Sequence, residues 1–186
     1  MNVAEIAERG ATELAACVSR VDPEQLDNLM REIDAADRVY AYGAGRSLLQ
    51  MRCFAMRLMH LGLTSYVVGD TTTPAFGPGD LLVVASASGT TSGVVRVARK
   101  AKDLGGRVAV LTTRAASELA LLADVTIVVP AYTDKVPVSV ERLPVFPGGS
   151  LFEQSVLVLG DALVMPLAER RGVPTNRMFA LHANLE

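Results

Sequence analysis

The stretch DLLVVASASGTTSG, from Asp80 to Gly93, decides the fold class of this chain. Residues Asp80–Ala85 are almost continuously apolar, which is typical of a parallel strand that is covered on both faces. Residues 86–91 then supply four hydroxyl side chains and one glycine, and a helical pattern follows from Ser92. A buried strand that passes through a polar turn into a helix predicts one unit of a parallel α/β sheet.

The same alternation continues on both sides of this unit. Capping signals at Asn2 and at Asp22 followed by Pro23 predict two N-terminal helices. Further strands are predicted at residues 38–42, 64–68, 107–112 and 124–130, and further helices at 47–61, 92–104, 117–123 and about 150–171. The order predicts an α/β fold, a three-layer αβα sandwich with a five-stranded parallel sheet, two preceding helices and right-handed crossovers. The length of 186 residues predicts one domain over residues 1–186.

Composition excludes several classes of function. The formal net charge of −2 argues against a nucleic-acid partner, which usually requires a basic surface. Cys17 and Cys53 are far apart and have no metal-site spacing, so we expect reduced thiols, a cytoplasmic protein and no bound metal. The N-terminus does not have the pattern of a signal peptide. The longest apolar run, residues 154–167, is interrupted by Asp161 and predicts a buried helix rather than a membrane span.

The segment GAGRS, Gly43–Ser47, follows the first predicted strand and has the composition of an anion site. Gly43 and Gly45 would let the backbone approach a ligand, and the N–H groups of the next helix would face it. A dinucleotide loop would have a third glycine at position 48, which is Leu48 here, so a dinucleotide is disfavoured. A plain tight turn between strand and helix remains the alternative.

The segment SASGTT, Ser86–Thr91, is a second candidate at the same edge of the sheet, where parallel sheets bind ligands. Hydroxyl and backbone N–H groups can coordinate phosphate, whereas a helix cap needs only one serine or threonine. Four hydroxyl residues in six positions therefore favour a phosphate site over a simple cap. The pattern of a nucleotide triphosphate loop, GxxxxGK[ST], is absent from the sequence.

Glu153 lies in the first turn of the long apolar helix, after Gly148-Gly149. An acid there can simply interact with the helix dipole, but the apolar helix and the unusual Pro130–Gly149 segment before it favour a general base. We expect that segment to be a mobile cover over the site. His60 is interpreted as a partly buried residue favoured by the helix dipole, and His182 lies in a tail without periodicity.

The segments GAGRS, SASGTT and GGSLFEQ resemble the sugar isomerase (SIS) family, and the resemblance covers essentially the whole chain. Within that family, the segments RCFAMRLMHLG, GDLLVVASASGTT and HANLE are most similar to the 6-phospho-3-hexuloisomerases. The resemblance implies that Glu153 is the catalytic base and that His182, from a neighbouring subunit, helps to open the ring or move a hydroxyl proton. It also implies a homodimer or homotetramer with sites at subunit interfaces. The GAGRS segment and the resemblance together give the predicted substrate-binding residues, which are Gly43, Gly45, Arg46, Ser47, Ser86, Ser88, Gly89, Thr90 and Thr91.

The implied reaction converts D-arabino-hex-3-ulose 6-phosphate to D-fructose 6-phosphate through a cis-enediolate. It needs a small sugar phosphate as substrate and no metal or redox cofactor. Two alternatives stay open. One is another phosphosugar isomerase of this family, acting on arabinose 5-phosphate or sedoheptulose 7-phosphate. The other is a non-catalytic phosphosugar sensor, which would keep the phosphate loop but would not need Glu153.

Overall fold

A computed structural model describes residues 2–135 and 143–185, which form seven helices and five strands. The helices are α1 (Val3–Val18), α2 (Pro23–Ala35), α3 (Arg46–His60), α4 (Ser92–Asp103), α5 (Glu118–Leu122), α6 (Ser150–Arg170) and α7 (Thr175–Ala180). The strands are β1 (Arg38–Gly43), β2 (Ser65–Val67), β3 (Asp80–Ala85), β4 (Arg107–Thr112) and β5 (Val125–Val128). All four strand pairings are parallel, in the order β2-β1-β3-β4-β5, which confirms the predicted sheet.

Capping residues and hydrophobic patterns in the sequence predicted the bounds of most elements to within one or two residues. Asn2 forms the predicted capping box with Glu5, and the side chain of Asp22 accepts the backbone N–H of Glu24. The exception is α7, in the tail, which the sequence did not predict. None of its residues is buried, so this short helix leaves no apolar periodicity in the sequence.

The apolar strands are covered on both faces, as the pattern of β3 indicates. Leu81 and Val83 face one core, which they share with buried residues of α1, α2, α3 and α6. Leu82 and Val84 face a second core, formed with α4 and with Leu119 of α5. The alternation within β3 therefore defines the three layers of the sandwich.

Helix α6 is the central helix of the larger core. Its buried face includes Phe152, Leu159 and Leu167, and Gly160 lies against Phe54 of α3. Among the described residues, α6 is the one helix long and apolar enough to cross a membrane, but half of the relevant window is buried within the molecule. A core helix meets the same criteria, and these contacts confirm the predicted buried helix.

The point where the strand order reverses lies between β1 and β3. The chain passes from β1 through α3 to β2 on one side, and β3 then adds on the other side of β1. Gly43 and Ala85 stand opposite each other at the ends of these two strands. Helices α3 and α4 leave from there toward opposite faces of the sheet, which opens a crevice between the two loops.

Candidate active site

A cavity of about 320 Å³ lies beyond the carboxyl ends of β1 and β3. Three parts of the chain meet around it. They are the glycine loop (Gly43–Ser47), the hydroxyl loop (Ser86–Thr91), and the segments that follow β5 and begin α6. The lining residues are Ala44, Gly45, Arg46, Ser47, Ala85, Ser86, Ala87, Ser88, Thr91, Thr133, Lys135, Gly149 and Glu153. Seven predicted site residues are therefore brought together: Gly45, Arg46, Ser47, Ser86, Ser88, Thr91 and Glu153.

The glycine loop places the start of α3 against the cavity. Gly45 caps α3 with φ 58° and ψ −133°, a backbone conformation that is essentially restricted to glycine. A Cβ on Gly43 would lie 3.0 Å from the amide nitrogen of Leu48 and 3.2 Å from the carbonyl oxygen of Ala85. This close approach holds the first turn of α3 against the end of β3, and Arg46 and the buried Ser47 of that turn line the cavity.

The hydroxyl loop does more than cap α4. Thr91 is the N-cap residue, but its side chain makes no capping hydrogen bond in the described structure. Its Oγ1 lies instead 3.1 Å from Oγ of the buried Ser86. Ser88 Oγ accepts a hydrogen bond from the backbone N–H of Thr90 at 3.3 Å. The cap interpretation therefore does not account for these hydroxyl groups, and the start of α4 offers a second set of N–H groups to an anion.

Gly89 shapes this loop from outside the cavity. Its φ is +65°, and a Cβ there would lie 2.1 Å from Ser117 Oγ and 3.0 Å from Thr112 Oγ1. Its carbonyl oxygen accepts the N–H of Leu119, at 3.0 Å. Gly43, Gly89 and Thr90 do not line the cavity, so any contact of these three predicted residues with a ligand stays a prediction.

Glu153 is held in place by the glycine loop. Its side chain is 14% exposed, and its Oε2 accepts a 2.5 Å hydrogen bond from Arg46 Nε. This ion pair joins the first turns of α3 and α6, which are 107 residues apart in sequence. With Lys135, the cavity has two cationic side chains against one carboxylate, and the N-termini of α3, α4 and α6 add positive potential. The arrangement suits an anionic ligand beside a positioned carboxylate.

The two histidines lie elsewhere in the chain. The ring of His182 stacks on that of His60, with centroids 3.9 Å apart. His60 ends α3, whereas the cavity is at the start of this 15-residue helix, about 20 Å away at 1.5 Å per residue. His182 therefore does not line the cavity of its own chain, and its role in a neighbouring subunit's site stays a prediction.

His60 differs from its sequence interpretation. It is 2% exposed rather than partly buried, and its Nδ1 has no hydrogen-bond partner among the described residues. Burial, together with the nearby His182 and Arg57, lowers the pKa of His60 below 6.5. Desolvation of the buried ring is the largest cause of this lowering.

Sequence reasoning missed two polar residues of the cavity, Thr133 and Lys135. Thr133 is buried, and its Oγ1 accepts the backbone N–H of Lys135 at 3.3 Å. Both follow β5 at the same edge of the sheet, which was the available signal. The segment Pro130–Gly149 was predicted to be a mobile cover over the site. Within it, residues 136–142 lie outside the described residues. In the part of the chain described, no three His, Cys, Asp or Glu side chains are grouped as metal ligands.

Comparison with known proteins identifies the class to which this fold and cavity correspond. The SIS domain family model matches residues 32–140, and the chain belongs to this family. A Mycobacterium gastri relative named 3-hexulose-6-phosphate isomerase is 48% identical over 94% of this chain and 86% of its own. A Bacillus subtilis relative of the same name is 38% identical over 94% of each chain. The crystal structure of a Methanococcus jannaschii protein, with 3-hexulose-6-phosphate isomerase as its inferred function, is 31% identical, with TM-score 0.79 and 98% coverage of both chains.

Replacement of Gly89 by alanine should destabilise the protein, because the new methyl group meets Ser117 and the backbone conformation disfavours any side chain. We expect a loss of about 2–4 kcal/mol in the free energy of unfolding, measured by urea denaturation. Gly93→Ala in α4 is the matched control, because a Cβ there meets nothing within 4 Å. Equal stability of the two variants would contradict the packing role of Gly89.

Burial of His60 should make the protein less stable in mild acid. Because the pKa of His60 is lower in the folded than in the unfolded chain, the unfolded chain binds more protons as the pH falls below 6.5. The free energy of unfolding should therefore fall more between about pH 7.5 and about pH 5.5 in the wild type than in His60→Phe. His182→Ala should keep most of this dependence, since burial is the main cause. Parallel pH profiles for wild type and His60→Phe would refute the assignment.

Proposed function

We propose that the chain converts D-arabino-hex-3-ulose 6-phosphate to D-fructose 6-phosphate in the ribulose monophosphate route of formaldehyde fixation. The observation that carries this proposal is the position of Glu153, a carboxylate in the same cavity as the hydroxyl loop. The named relatives, up to 48% identical, support the choice of this substrate among phosphosugars.

The phosphate group binds, in this proposal, between the starts of α3 and α4. Ser86, Ser88 and Thr91 supply hydroxyl groups, and Ser47 adds another from the glycine loop. Backbone N–H groups of both first turns complete the site, so the phosphate is bound largely by dipoles. Gly43, Gly45, Gly89 and Thr90 give the two loops the shape that this binding requires.

Glu153 acts as the base. It removes the proton from C2 of the substrate, which leaves a cis-enediolate across C2 and C3. The proton returns at C3, and the proton of the C2 hydroxyl moves to the oxygen on C3, so that the carbonyl group ends on C2. The reaction has no net oxidation and needs no metal or redox cofactor. Arg46 fixes the orientation of the Glu153 carboxylate through the 2.5 Å hydrogen bond.

The proposal treats residues 1–186 as one SIS-type domain in the cytoplasm. Helices α1 and α6 lie outside the residues matched by the family model, yet Cys17 and Leu159 belong to the same core as β3. Cys17 and Cys53 are both free thiols.

Replacement of Glu153 by glutamine should abolish the base while keeping the shape of the side chain. We expect kcat to fall about 100- to 10,000-fold. The assay generates the 3-hexulose 6-phosphate in situ from formaldehyde and ribulose 5-phosphate, and couples fructose 6-phosphate to NADPH formation. Glu169→Gln, on the exposed face of α6, is the control and should retain full activity.

Full turnover by Glu153→Gln would remove Glu153 from its role but keep the function. A folded wild type without turnover would overturn the substrate assignment, and other phosphosugars would be assayed next. Tight binding of sugar phosphates without turnover of any of them would identify a sensor.

Subunit association is a further part of the proposal. Leu49, Met56 and Met59 are 57%, 47% and 39% exposed and lie on one face of α3, which begins at the cavity. A second copy of the chain packed on this face would lie beside the cavity, and the tail of a neighbouring subunit could bring His182 to it. This geometry supports a homodimer or homotetramer with sites at subunit interfaces.

Sedimentation velocity tests this association. We expect a species at least twice the 19.7 kDa chain mass, and a monomer of reduced activity for the double variant Leu49→Glu, Met56→Glu. Leu121→Glu is the control, because Leu121 is 80% exposed on α5, away from α3. A monomeric wild type, or an unchanged double variant, would refute the assigned interface.

A further inference from the structure

Among the described residues, Lys135 is the cation of the cavity without an ion-pair partner. Arg46 is engaged by Glu153, whereas Lys135 forms no ion pair or side-chain hydrogen bond in the part of the chain that the structure describes. Its backbone N–H is bound to Thr133 Oγ1, which fixes the start of the side chain. An exposed ammonium group at an anionic ligand's cavity is available for that ligand.

Lys135 stands on the Glu153 side of the cavity. A Cβ placed on Gly149 would lie 3.5 Å from Glu153 Oε1 and 3.9 Å from Thr133 Oγ1, so these three residues form a continuous wall. Lys135 is joined to this wall by the hydrogen bond from its backbone N–H to Thr133 Oγ1. The other hydroxyl groups and the start of α4 come after the other two strands, β1 and β3.

Proton abstraction beside a carbonyl places negative charge on the carbonyl oxygen. A donor aimed at that oxygen is worth much more than one that binds substrate and transition state equally. The hydroxyl loop is assigned to the phosphate, and Arg46 already holds the base. On the Glu153 side, Lys135 is the remaining charged donor among the cavity-lining residues that the structure describes.

We propose that Lys135 is a catalytic residue whose ammonium group donates a hydrogen bond to the substrate oxygen that becomes negative in the enediolate. The lysine keeps its proton throughout, and Glu153 carries the carbon-bound proton. This inference rests on the proposed isomerase function. It assigns Lys135 to stabilisation of the transition state, not to anchoring of the phosphate.

The test compares the variants Lys135→Met and Lys135→Arg with the control Lys100→Met. Lys100 is on α4 and does not line this cavity. In the coupled assay, Lys135→Met should lower kcat about 100- to 1,000-fold, with KM within about threefold of the wild type. Lys135→Arg should recover part of kcat. Affinity for inorganic phosphate, measured by calorimetry, should be unchanged in Lys135→Met.

The outcomes separate this inference from the proposed function. Wild-type kcat in Lys135→Met, alongside an active wild type and control, would overturn only the role of Lys135. A variant that keeps kcat but loses affinity for inorganic phosphate by about tenfold or more would make Lys135 a phosphate anchor instead. A wild type without turnover would overturn the function and, with it, this role.

Discussion

The parallel register of β1 and β3 is the constraint on which the rest of the site depends. Because Gly43 and Ala85 stand opposite each other, both strands end at the same height, and the chain must turn away from both at once. The two loops lead into helices on opposite faces of the sheet, so their N-termini converge on one crevice instead of packing against each other. A phosphate placed there would face the N-termini of both helices, which favour anions. The register also explains why Gly43 is tightly constrained, since a side chain there would press on both Ala85 and the start of α3.

The sequence predicts well those features that depend on residues close to one another along the chain. The continuous apolar run of β3 predicted a strand buried on both faces, and both cores confirm it. The excess of hydroxyl groups in residues 86–91 predicted more than a cap, and the uncapped Thr91 side chain agrees with that. These patterns succeed because each one reports the environment of neighbouring residues along the chain. Contacts between distant segments leave no such pattern: the pairing of Arg46 with Glu153 follows from the packing of α6 on α3 and could not be read from either segment alone.

What the sequence did not show has the same origin. Three glycines were assigned to substrate binding as one type, and their surroundings differ: Gly45 lines the cavity, whereas Gly89 packs against Ser117, a residue 28 positions later. The interpretation of His60 relied on its place at a helix end, but its burial, beside the ring of His182 from a tail without periodicity, lowers its pKa. Lys135 was overlooked because its segment follows β5, whose position beside β4 at the edge of the sheet is a property of the strand order. In each case the deciding neighbour is remote in sequence.

The distribution of charge in the cavity follows from this architecture. The side proposed to bind the phosphate follows β1 and β3 and offers hydroxyl groups and helix N-termini, whereas Glu153 and Lys135 belong to the wall that includes Gly149 and Thr133. A dianion bound next to a carboxylate would repel it, so the proposed division of the cavity keeps the two negative groups apart. Arg46 is the link between the two sides, because it belongs to the first turn of α3 and at the same time holds Oε2 of Glu153. The element proposed to receive the phosphate is therefore the same element that orients the Glu153 carboxylate.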